Sequence, residues 1–175
     1  DGTPARKGPR ISGGIGQMYL DGPRAFMPEH APDAASGDTL AIAWCEARGL
    51  GVVTERAAVA GSVLDRFSGT IDGELRQHTL QVSPGRHISG TRFIGFLSHS
   101  CAPNCRLDMD RFELVALADI PAGAWLTIDY AATEDRLYRQ FACRCGAPRC
   151  RHWITGRREL PDAEGLRHLS PHWPE

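Results

Sequence analysis

The chain has 175 residues, 20 of them basic and 21 acidic, for a formal net charge of -1. That length supports one main domain with a core of its own, and the balanced charge gives no electrostatic reason to expect nucleic acid or an anionic membrane as partner. No stretch approaches the roughly 18 apolar residues of a membrane span, and the amino terminus DGTPARKGPR is polar rather than a signal sequence.

The chain starts at Asp1 rather than methionine, which allows for a removed upstream segment carrying any targeting signal. Residues 1–38 are rich in Gly, Pro and Ala without periodicity, and read as a loop-rich extension. From Thr39 the texture changes to short runs of Val, Ile, Leu and Ala broken by glycines, the pattern of short strands and tight turns. GLGVVTE, AVAGSVL, DRFSGTI, HTLQVS, RHISG and FELVALADI each predict a strand or a turn feeding one. Only PDAASGDTLAIAWCEARG and ATEDRLYRQF suit a short helix. The bulk is expected to be β, and the stretch RRELPDAEGLRHLSPHWPE reads as a polar tail over 157–175.

Six cysteines are unevenly spaced: Cys45 alone, Cys101 and Cys105 in FLSHSCAPNC, and Cys143, Cys145 and Cys150 in FACRCGAPRC. Such clustering, with no sign of secretion, favours zinc over disulfides and an intracellular, cytoplasmic location. The last three supply one ligand fewer than a closed tetrahedral site needs. Cys101 and Cys105 are the candidates for the fourth, and Cys101 would pin the tail to the central motif. A site of this kind would order the carboxy-terminal segment only when metal is bound.

Gly49-Leu50-Gly51 allows close backbone approach to a bulky ligand, although Gly-x-Gly is also ordinary turn chemistry. His99 suits either a structural histidine or a site residue, and Cys101 either a ligand or an inert thiol.

Taken in order, RGLG (48–51), SHSCAPNC (98–105), LTIDY (126–130) and Cys143-x-Cys145-x4-Cys150 resemble the SET-domain lysine methyltransferases with a cysteine-bearing post-SET segment. The resemblance covers roughly residues 40–156. It implies a mostly β SET-domain (β-clip) fold with a pseudoknot around Ser98 to Asn104, short helices and a post-SET zinc segment. The implied divisions are an extension at 1–38, a SET core at 39–132, a post-SET segment at 133–156 and a tail at 157–175. It further implies that Gly49, Leu50 and Gly51, with Ser98 and His99, cradle S-adenosylmethionine, while Phe141 and Trp153 close over cofactor and substrate channel. Tyr130 matches the catalytic tyrosine, and Cys101, Cys143, Cys145 and Cys150 would hold one zinc ion.

The implied activity is S-adenosylmethionine-dependent N-methylation of a protein lysine or a small-molecule amine, with no direct nucleic-acid or membrane partner. The sequence departs from the family pattern in three places. Ser98 stands where the family has asparagine, Ala124 and Trp125 replace an acidic pair, and the segment between Gly69 and Ser89 is short. These departures leave two alternatives: a SET-fold enzyme of small-molecule biosynthesis with a repurposed pocket, and a non-catalytic SET-fold binding module. Cys45 and Cys105 are expected to be buried small hydrophobes.

Overall fold

A computed structural model describes residues 39–46 and 48–172. The extension expected over 1–38 lies outside the described residues.

The first strands are β1 (Leu40–Cys45), β2 (Gly49–Thr54), β3 (Val63–Arg66), β4 (Thr70–Asp72), β5 (Leu80–Ser83) and β6 (Arg86–Ser89). A 3-10 turn at Ile94–Phe96 leads into β7 (Ser98–His99), β8 (Cys105–Asp108), β9 (Glu113–Ala116) and β10 (Trp125–Ile128). After helix α1 (Tyr130–Thr133) come β11 (Phe141–Ala142), β12 (Trp153–Ile154) and helix α2 (Ala163–Leu169). The strands form small sheets in the orders β1-β2-β10-β7, β3-β9-β8 and β4-β6-β5, with β11-β12 as a separate pair. This is the mostly β architecture that the glycine-punctuated runs imply.

Two stretches read as possible helices fold otherwise. LAIAWC is β1, an edge strand whose six residues pair antiparallel with all six of β2. Partner strands decide the matter, because β2 is one residue away from a turn closed by Arg48 N–H donating to the Cys45 carbonyl at 3.2 Å. In ATEDRLYRQF the helix ends at Thr133, where Glu134 turns extended and its side chain leaves for the interior. Conversely, the tail carries α2, which Asp162 caps by accepting from Gly165 N–H at 2.8 Å. Its residue His168 packs on the ring of Trp153, centroids 5.5 Å apart.

The core joins the sheets through Leu40, Val52, Ile88, Ile94, Leu114, Leu126 and Ile128, all buried. Cys105 is buried with them, and burial pushes its thiol up to about 12, so it behaves as a small hydrophobe. Cys45 departs from that expectation and is only half-buried, at the end of an edge strand.

The central crossing is the feature that positions the site. Ser98 and His99 of β7 pair in parallel with Thr127 and Ile128 of β10. Further along, the side chain of Asn104 acts as a clamp on the same strand. Its amide donates to the Trp125 carbonyl at 2.9 Å, and its oxygen accepts from Thr127 N–H at 2.8 Å and from the Thr127 hydroxyl at 3.1 Å. Residues 98–100 and Asn104 are thereby held against 125–128, at the crossing where the resemblance implies a pseudoknot. Replacing Asn104 with alanine orphans the Trp125 carbonyl and the Thr127 amide, and should cost about 2–4 kcal/mol. Denaturant unfolding of the variant checks this, and a loss under about 1 kcal/mol would show that the crossing does not depend on the clamp.

Candidate active site

A cavity of about 320 Å³ opens beside this crossing. Its wall takes Leu50 from β2, Phe96 from the 3-10 turn and Leu97 just after it, Ser98 and His99 from β7, Tyr130 from α1, and Phe141 to Cys145 from the post-crossing segment. One side of the wall is an edge-to-face aromatic cluster. The His99 ring lies 5.3 Å from Tyr130 and 5.9 Å from Phe141, and those two rings lie 5.9 Å apart. Such a wall is apolar in area but carries a few fixed polar atoms, which suits a ligand with an apolar body and a polar reacting group.

Those polar atoms are oriented by the backbone. The Tyr130 hydroxyl donates to the Leu97 carbonyl at 2.6 Å, so its oxygen keeps only acceptor capacity toward the cavity. Burial, with the nearby Glu134 charge adding to it, pushes the phenol up to about 12, and Tyr130 stays protonated at neutral pH. His99 accepts from Tyr130 N–H through Nδ1 at 3.4 Å, and its Nε2 lies 3.4 Å from Cys101 Sγ. Burial, only partly opposed by Asp129, lowers His99 to about 4. A neutral ring with Nδ1 accepting must carry its proton on Nε2, which then donates to the sulfur.

Gly49 and Gly51 serve the cavity differently. Gly49 opens β2 with φ of +74°, the left-handed conformation that suits glycine. At Gly51 a Cβ would stand 2.5 Å from the Trp125 ring and 2.7 Å from Ser98 Oγ. The missing side chain thus admits protein atoms, and Ser98 and Trp125, two of the departures from the family pattern, are packed together against it. The Arg48 guanidinium lies over the Trp125 ring, 5.9 Å from its centroid, and Arg48 also lines the cavity.

Behind Phe141 four thiols converge. The sulfurs of Cys101, Cys143, Cys145 and Cys150 all lie within 4.8 Å of one another, with Cys101 to Cys143 at 3.9 Å and Cys145 to Cys150 at 3.6 Å. Tetrahedral Zn–S bonds of about 2.3 Å place sulfurs roughly 3.8 Å apart, so the cluster has the dimensions to hold such an ion. Arg151 N–H donates to Cys101 and His152 N–H to Cys150, both at 3.4 Å, as thiolate ligands require. Burial acts to raise the Cys145 thiol, but the Cys101 and Ala147 amides and the neighbouring thiols outweigh it and hold it down to about 6.

Of the residues singled out in the sequence, Leu50, Ser98, His99, Tyr130 and Phe141 meet at the cavity, and Gly49 and Gly51 shape the strand beneath. Trp153 is not brought there. It is 5% exposed, donates through Nε1 to the Gln140 side chain at 2.9 Å, and lies under α2. The sequence reading assigned no role to Arg48 and Phe96, although both lie in the motifs it singled out, and it did not mark His78; all three also line the cavity. It also passed over Glu134, 6% exposed, whose carboxylate accepts from Gln81 N–H at 3.0 and 3.1 Å and ties α1 to β5. No periodicity marks these residues, because each reaches its place by a loop or a cap.

Burial raises Glu134 from 4.5 to about 7 against that hydrogen bond. A carboxyl that binds its proton more tightly folded than unfolded carries no ionisation penalty below pH 4.5, and the full penalty once pH has risen past about 7. Glu134→Gln should therefore gain about 2–3 kcal/mol on the wild type above pH 7, a gain that fades toward pH 4.5. Paired urea titrations across that range test it, and a pH-independent difference would refute it.

The SET domain family model matches residues 68–131. Methyltransferase flvH of Aspergillus flavus is 30% identical over 120 residues, which cover 66% of this chain and 67% of that protein. The chain belongs to the SET-domain methyltransferase family. Another SET relative, the H3 lysine-9 specific histone-lysine N-methyltransferase dim-5 of Neurospora crassa, is 30% identical over 125 residues, 58% of this chain but 37% of its own length. Human histone-lysine N-methyltransferase 2D matches at 34% over 66 residues, only 1% of that protein. Among solved SET structures, KRYPTONITE in complex with mCHG DNA and S-adenosylhomocysteine (SAH) superposes with a TM-score of 0.52 at 26% identity, covering 65% of this chain and 28% of that one. The chain thus spans about two thirds of the Aspergillus relative and a much smaller share of the others. Among the described residues no helix is long and apolar enough to cross a membrane.

Proposed function

We propose that this SET-domain chain is an S-adenosylmethionine-dependent N-methyltransferase acting on a lysine side-chain amine. The carrying observation is the cavity itself, in which Leu50, Ser98, His99, Tyr130 and Phe141 from four separate elements meet beside the Tyr130 hydroxyl that Leu97 orients. That histone-lysine methyltransferases recur among its relatives supports a lysine as acceptor. The relatives do not favour a repurposed or non-catalytic SET fold.

S-adenosylmethionine, when bound, supplies an electrophilic methyl group on a sulfonium. The chain's own residues do the rest. Phe96 and Phe141 present apolar surface to the cavity, and an amine with an ordinary pKa near 10.4 loses its proton more readily where such surface displaces water. The Tyr130 oxygen, its own proton held by Leu97, accepts from the neutral amine and aims its lone pair. Tyr130 remains a phenol at neutral pH and is not asked to take the proton itself. With the cofactor bound, alignment and desolvation by these residues would supply most of the acceleration of methyl transfer to the amine nitrogen.

We also infer that Cys101, Cys143, Cys145 and Cys150 hold one structural zinc ion, and that the protein resides in a reducing, cytoplasmic compartment where such thiols persist. Calorimetric titration of the zinc-loaded protein with S-adenosylmethionine, followed by methyl transfer to a histone H3 tail peptide and other lysine peptides, tests the function. Micromolar binding and label on a lysine are expected. A folded, zinc-containing protein that binds neither S-adenosylmethionine nor SAH would overturn the reading.

A further inference from the structure

His78 sits on the loop before β5 with φ of +67°, a conformation uncommon for a residue with a side chain. Three contacts hold it there. Its Nδ1 is 2.9 Å from the Gly95 carbonyl, its ring stacks on Phe96 at 4.5 Å and 33°, and its own carbonyl fills the space beside Gly95, where a Cβ would stand 2.4 Å from it. The other side of Gly95 is fixed as well, by its N–H donating to Thr91 Oγ1 at 3.0 Å. Since a carbonyl can only accept, Nδ1 carries a proton, and in that tautomer Nε2 is the acceptor nitrogen. His78 lines the cavity, and among the described residues no hydrogen-bond partner takes that nitrogen.

The anchoring of His78 mirrors that of Tyr130. One side chain donates to the carbonyl of Gly95 and the other to that of Leu97, two residues further along the chain. Successive residues advance the chain by at most about 3.6 Å, so the α-carbons of the two anchoring residues are no more than about 7 Å apart. Each side chain spends its proton on the backbone and keeps an acceptor. A neutral primary amine has two N–H groups, and where Phe96 and Phe141 displace water from the cavity wall each is best met by a fixed acceptor of the protein.

We propose that His78 is a second acceptor for the substrate amine, pairing its Nε2 with the Tyr130 oxygen so that both N–H groups are engaged and the lone pair is left free to attack. This rests on the methyl-transfer reading of the cavity.

Two substitutions separate the acceptor from the scaffold. In His78→Asn the side-chain amide can replace Nδ1 as donor to Gly95, and asparagine tolerates the positive φ, but nothing stands at the Nε2 position. In His78→Gln the longer side chain carries its amide to that position and can offer its oxygen as acceptor. The probe is n-butylamine, a lysine side chain without its peptide, titrated by NMR into zinc-loaded protein saturated with SAH at a pH where part of the amine is neutral. The Asn variant should bind SAH within about threefold of wild type yet bind butylamine about tenfold or more weakly, with the Gln variant recovering part of the loss. Equal butylamine affinity in wild type and the Asn variant overturns the proposal, as does a wild type that takes up SAH and no butylamine. A folded wild type that takes up no SAH overturns the methyl-transfer reading itself, and this proposal with it.

Discussion

Replacing Tyr130 with phenylalanine should lower turnover roughly ten- to a hundredfold while S-adenosylmethionine affinity stays within about threefold, because one hydrogen bond to the reacting amine is lost and the apolar wall is kept. The ring still packs edge-to-face with His99 and Phe141, at 5.3 and 5.9 Å. What disappears is the hydroxyl, and with it the bond to the Leu97 carbonyl, so a second effect accompanies the first. The fold should weaken by about 1 kcal/mol as that carbonyl loses its donor. Single-turnover kinetics separate chemistry from binding, and denaturant unfolding measures the stability loss. Wild-type turnover in a variant that shows the expected destabilisation would remove Tyr130 from the reaction.

Removing the proposed zinc ion should have the larger structural effect. Cys145→Ser takes away one of four sulfurs that lie within 4.8 Å of one another, and the thiol that the surrounding amides hold down to about 6. Structural zinc binding is worth on the order of 10–16 kcal/mol, comparable to the whole stability of an ordinary domain. The variant should be purified with little or no zinc and should lose hydrogen-exchange protection over residues 141–154. A chelator should do the same to the wild type. The loss reaches the cavity by two routes, since Phe141 to Cys145 line it directly and the His99 ring is held by Cys101 Sγ at 3.4 Å. SAH affinity should therefore fall by about tenfold or more. Stoichiometric zinc and unchanged protection in Cys145→Ser would refute the ligand set.

Particular residues show where the sequence was legible. FLSHSCAPNC and FACRCGAPRC combine residue types that a core does not need at spacings a metal does, and the structure brings Cys101 to Cys143, Cys145 and Cys150 across more than 40 residues of chain. The strands of GLGVVTE, HTLQVS and FELVALADI carry their own signal in β-branched runs closed by turn residues. LAIAWC did not, because a short apolar run suits helix and strand equally until a partner is known. Trp153 was placed by order along the chain, and an indole N–H that must find an acceptor went to Gln140 under α2. Nothing local announced His78 or Glu134, since a loop histidine and a glutamate after a one-turn helix are ordinary in any chain.

By itself, then, the sequence determined what is encoded over short range: the β texture, the turn chemistry, the clustered thiols and the ordered motifs that mark the family. Only the tertiary structure decided which side chains share the cavity, which proton each donates and to which carbonyl. Those outcomes depend on contacts between residues far apart in the chain, such as Tyr130 with Leu97, Asn104 with Thr127 and Gln81 with Glu134. The energy of such contacts arises only when the crossing of β7 and β10 has closed and water has been excluded from between them.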